Sequence, residues 1–115
     1  MNYTKDYKEE VTLSIGMVKF LNKLIKYHIN ILKQVYNITK EDYCINQIEI
    51  CEILLLKLFL YTLNHKKEIS LTLNAKEAKL LNDICFNYFQ INYTIVKTDE
   101  VMLDELRKFY KVIIN

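Results

Sequence analysis

Two segments alternate strictly between apolar and hydroxyl-bearing residues. Glu10-Val11-Thr12-Leu13-Ser14-Ile15-Gly16 and Glu68-Ile69-Ser70-Leu71-Thr72-Leu73-Asn74 carry the same pattern 58 positions apart. A period of two predicts a short strand in each. Val11, Leu13, Ile15, Ile69, Leu71 and Leu73 then face inward, and Thr12, Ser14, Ser70 and Thr72 outward. Gly16 and Asn74 close the strands, as residue types that tolerate turn or cap geometry.

Beyond each strand the apolar period lengthens to that of a helix. From about Met17 to Tyr36 the stripe is Met17, Phe20, Leu21, Leu24, Ile31, Leu32 and Val35. From about Ala75 to Phe89 it is Ala78, Leu81, Ile84, Cys85, Tyr88 and Phe89. Leu21-Asn22 matches Leu81-Asn82 after a slip of two residues, and Asn74 with Glu77 has the spacing of a capping box.

A second helix follows in each half, announced by Thr39-Lys40-Glu41-Asp42 and by Thr98-Asp99-Glu100. A threonine cap followed by acids suits the free N–H groups and positive dipole end of a helix. These helices are predicted from about Glu41 to Asn64 and from about Asp99 to Ile114. The first is apolar nearly all round from Ile53 to Tyr61 and is expected to lie centrally. The other has one face, through Met102 or Leu103, then Leu106, Phe109, Tyr110 and Ile113.

The predicted fold class is therefore α+β and predominantly helical. A duplicated strand-helix-helix unit gives about four helices and a short two-stranded antiparallel ribbon, with pseudo-repeats 10–64 and 68–115 in a single domain, 1–115. An all-α helical bundle is the alternative. Two short strands alone are marginal, so the helices must supply most of the stability.

Composition supports order nearly throughout, with Met1 to Lys8 the expected exception. The chain has 115 residues, half of them apolar and a quarter charged, with one glycine and no proline, so turns fall to Asn, Asp, Thr and Ser. Cys44, Cys51 and Cys85 have neither the paired spacing of a zinc site nor that of a disulfide framework, and read as small buried hydrophobes in a reducing compartment. No leader opens the sequence, and the most apolar stretch, Ile48 to Leu63, is too short and too interrupted by charge to span a bilayer. A cytoplasmic protein without membrane association is expected.

No glycine-rich phosphate loop, H-E-x-x-H or G-x-S-x-G element occurs, so no catalytic residues, cofactor or metal are assigned. His28 lies beside the first apolar stripe and reads as a packed boundary residue. His65, followed by Lys66 and Lys67, sits where cations favour a helix C-terminus.

Charge is more informative. From Val11 to Lys40 there are five lysines and no acid, while the whole chain carries a formal net charge of +2. Lys19, Lys23, Lys26 and Lys33 follow the spacing of one helix face, a basic partner-binding candidate. Asp99, Glu100, Asp104 and Glu105 crowd the start of the last helix, where dipole compensation and an acidic docking patch are both open readings.

A strand followed by two helices, taken twice with the strands antiparallel, resembles the ribbon-helix-helix family of DNA-binding repressors joined into one polypeptide. The resemblance implies a ribbon whose outward Thr12, Ser14, Ser70 and Thr72 enter the major groove. It also implies backbone amides of the segments beginning at Thr39 and Thr98 on phosphate. Those outward positions hold no Arg, Lys, Asn or Gln to read base edges. The leading expectation is therefore a non-enzymatic protein-protein interaction module, accessory or inhibitor-like, of the small AT-rich kind encoded by phages and mobile elements and acting on a host enzyme or defence complex. A protein partner is expected, with homodimer formation as a further expectation. A DNA-binding regulator of ribbon-helix-helix type, with nucleic acid as partner, is the alternative.

Overall fold

A computed structural model describes residues 3–63, 67–90 and 98–114. Along the chain these form β1 (Lys8–Ser14), α1 (Ile15–Thr39), α2 (Asp42–Thr62), β2 (Glu68–Asn74), α3 (Ala75–Gln90) and α4 (Glu100–Ile114). The predominantly helical α+β class is the one adopted, with β1 and β2 paired as a two-stranded antiparallel sheet.

Alternation sets which face of the ribbon is buried. Val11, Leu13, Ile69, Leu71 and Leu73 point into the core, and Thr12, Ser70 and Thr72 are exposed. Burying one face and wetting the other pins the register, because a one-residue slip would turn every apolar side chain outward. Leu13 lies opposite Ile69 and Val11 opposite Leu71.

The strands end at their caps. Ser14 Oγ accepts from Met17 N at 3.1 Å and starts α1, and Asn74 Oδ1 accepts from Glu77 N at 2.9 Å and starts α3. Glu77 Oε1 returns a bond to Asn74 N at 3.0 Å, so the capping box predicted for Asn74 and Glu77 is complete. Ser14 and Asn74 are 60 positions apart, as are the first residues of both strands. Strands and first helices thus correspond at 60 rather than 58, and the slip needed for Leu21-Asn22 and Leu81-Asn82 disappears. The parity of the alternation is the same at either offset, so the pattern alone could not choose. At 60, Val11 and Leu71 are both counterparts and cross-strand neighbours, which makes the pairing register symmetric about them.

All six elements contribute to one core, in which α1 packs on α2, α3 on α4, α2 on α3, and α4 on β1. Edge-to-face rings run through it from Phe20 to Tyr88, Phe89 and Tyr110, with centroids 5.4 to 6.0 Å apart.

Several expectations are corrected. Gly16 is not a turn; it lies in the first turn of α1, where a Cβ would sit 2.9 Å from Met102 Cε of α4. Ile15 opens that helix instead of closing the strand. Thr39 does not cap α2: it ends α1, donating to Val35 O and accepting from Glu41 N, and Lys40 follows in the left-handed region with φ 57°. At α4 the cap is Asp99, whose Oδ1 accepts from Met102 N at 2.8 Å, and not Thr98. On α1, Val18, Ile25 and Ile29 are buried whereas Val35 is exposed, because the end of this long helix extends past the core.

Of the segment Met1 to Lys8, the residues from Tyr3 are described, and Tyr3 packs on the fold. Its hydroxyl donates to Ile113 O at 2.7 Å and its ring meets Tyr7 edge-on at 5.2 Å. The largest correction concerns α2, which buries only Cys44, Cys51, Leu54 and Leu58. It lies at the periphery and turns a second apolar face outward.

Candidate interaction surface

The lysine row is built by α1. Ser14 supplies the cap, and the buried stripe from Met17 to Leu32 fixes which side of the helix faces the core. The opposite side must then carry Lys19, Lys23, Lys26 and Lys33, all exposed, with exposed Asn30 and Asn37 in the same row. At 1.5 Å per residue the four lysines span about 21 Å. The ion pairs among the described residues are Lys57–Glu77 and Arg107–Asp104, so none engages this row. Its charge is available to an external partner, and any such contact would weaken as salt rises.

The ribbon's outer face is different. Glu10 and Glu68 are exposed there beside Thr12, Ser70 and Thr72. Ser70 Oγ donates to Glu10 Oε1 across the strands. Ser14 is half-buried, and its hydroxyl is committed both to Met17 N and to the Glu105 carboxylate, 2.7 Å from Oε2. The ribbon therefore brings Thr12, Ser70 and Thr72 onto one open face, ties Ser14 to α4, and adds carboxylates that the alternation did not weigh. Acids at such a surface repel phosphate.

The acids of α4 are largely employed within the fold. Asp99 caps the helix, Asp104 pairs with Arg107 at 3.1 Å, and Glu105 accepts from Ser14.

Cys44, Cys51 and Cys85 are buried and unpaired with one another. Burial pushes the Cys51 and Cys85 thiols up to about 12, so the nucleophilic thiolate is suppressed. Burial also lowers the His28 pKa and favours its neutral ring. His65 lies outside the described residues.

One surface escaped the sequence reading. Ile53, Leu56, Phe59, Leu60 and Leu63 are each between 53 and 58 % exposed and recur at three- and four-residue spacing along the outer side of α2. The signal was present as a helix apolar all round, which fits deep burial and a half-covered position equally well. No helix among the described residues is long and apolar enough to cross a membrane.

The chain matches no protein-family model, and comparison with curated proteins and with solved structures returned no match.

Proposed function

We propose that the chain is a non-enzymatic protein-protein interaction module, an accessory or inhibitor-like protein that docks the lysine face of α1 on an acidic surface of a larger partner. The observation that carries this reading is the row of Lys19, Lys23, Lys26 and Lys33, exposed along one face and outside every ion pair among the described residues. Suppressed thiols at Cys51 and Cys85 and a neutral His28 support a binding role over a catalytic one. Among the described tyrosines Tyr43 is exposed and suits an interface, because it joins apolar area to a polar tip.

The second reading is a DNA-binding regulator, favoured by the antiparallel ribbon between two strand-helix-helix units. Glu10 and Glu68 on the ribbon's outer face weigh against it, so it ranks below the first.

The test compares the wild-type chain with Lys19→Glu/Lys23→Glu/Lys26→Glu, each used as bait for affinity purification and each titrated with fluorescent duplex DNA at low and physiological salt. Proteins retained by the wild type and lost by the triple variant, with no tight DNA binding, support the module. Tight, steeply salt-dependent DNA binding abolished by alanine at Thr12, Ser70 and Thr72 would put the regulator in its place.

A further inference from the structure

We propose that the outward face of α2 is a homodimer interface, in which α2 packs antiparallel on α2 of a second copy of this chain. This surface lies on a different helix from the lysine row and does not depend on the reading given to that row.

Area is the first argument. At roughly 100 Å² for each half-exposed large side chain, the five residues present about 500 Å², as much as the largest apolar patch of an ordinary monomer. A two-fold contact covering both copies removes at most about 1,000 Å² from water, the lower limit for a biological interface and the size of a weak one. The patch has the size of a weak, concentration-dependent contact.

Charge chooses the occupant and its direction. The apolar residues of the outer face concentrate in its C-terminal half, from Ile53 to Leu63, and the N-terminal half carries exposed Glu49 and Glu52 beside Ile45. An antiparallel pairing centred between Leu56 and Leu60 sets Ile53 toward the partner's Leu63 and Leu56 toward the partner's Leu60. Glu49 and Glu52 of the two copies then lie at opposite ends of the contact and are kept apart. A parallel pairing would instead face each acid with its own copy, at a cost in repulsion. The face is complementary to its own inverted image, which is what an isologous contact requires.

The test is sedimentation equilibrium of the full chain from about 1 to about 100 µM, the range in which a modest interface shows concentration-dependent mass. The wild type is expected to approach twice the monomer mass. Leu56→Glu alone and Leu60→Lys alone should each weaken association by at least tenfold, since each buries an unpaired charge against the partner's leucine. Circular dichroism should stay unchanged, because both positions are exposed in the single chain. Mixing the two variants should restore a dimer, as the carboxylate introduced in one copy then meets the ammonium introduced in the other. Lys19→Glu/Lys23→Glu/Lys26→Glu should leave the mass unaltered, so failure here is separable from failure of the functional reading. A monomer throughout the range would overturn the proposal and leave the face to a different protein, and a dimer indifferent to both substitutions would overturn it by placing the contact elsewhere.

Discussion

Lys57 Nζ lies 2.8 Å from Glu77 Oε1 and joins α2 to α3. The two partners are unequally placed: the Glu77 side chain is 3 % exposed and that of Lys57 36 %. Glu77 Oε1 also accepts from Asn74 N, while its Oε2 is buried with no partner among the described residues. Lys57 donates in addition to Thr72 O of β2 at 3.1 Å, so one ammonium ties three elements together.

This asymmetry makes the two halves of the pair unequal to mutation. Lys57→Met strands a buried carboxylate and should cost about 2 to 4 kcal/mol, less than a fully enclosed pair because the lysine is partly solvated. Glu77→Gln keeps an oxygen for Asn74 N and frees an ammonium that can reach water, at about 1 kcal/mol. Urea denaturation of both variants checks the ranking, and a cost for Lys57→Met no greater than that for Glu77→Gln would contradict it.

Lys40 is the one non-glycine residue with positive φ among those described, at 57°, and its N–H donates to Tyr36 O at 2.8 Å to close α1. The left-handed region is strained for a side chain with a Cβ. Lys40→Gly should therefore stabilise the chain by about 1 kcal/mol, reduced by loss of the ammonium's contact with the Tyr36 ring 5.2 Å away. Thermal melting gives the sign directly.

His28 gives stability a pH dependence of known direction. Its folded pKa is lowered by burial, so below about 6.5 the unfolded chain takes up a proton that the folded chain resists. The contribution is present above that pH and is lost as pH falls through it. Asp83, raised by burial against the opposing pull of Lys79, slopes the other way, favouring the fold while protonated. The His28 share is thus the difference between wild type and His28→Gln, and the variant should show a flatter rise of unfolding free energy between about pH 5 and 7.

The elements were legible because two periods, one of two and one near 3.6, change over within a residue of each cap. Ser14 and Asn74 mark the changes, and Asn74 with Glu77 was readable as a box from spacing alone. The lysine row was legible for the same reason: once Met17, Leu21 and Leu24 face inward, Lys19, Lys23 and Lys26 have nowhere to go but out. What periodicity cannot convey is how many neighbours an element has. Ile53, Leu56 and Leu60 are as apolar as Leu54 and Leu58, and only the placement of α1 and α3 on one side of α2 separates the exposed from the buried. Alternation puts Glu10 outward with Thr12, but that its carboxylate meets Ser70 depends on the partner strand's register.

The symmetric register about Val11 and Leu71 bears on how the molecule comes apart. Each strand runs without a loop into the helix it caps, β1 into α1 and β2 into α3. Opening the ribbon would expose the Val11 and Leu71 side chains and loosen the first turns of two helices at once. The ribbon is thus a shared latch: neither half can melt while the other stays whole, and a chain built mostly of local helix should still lose its structure in one cooperative step.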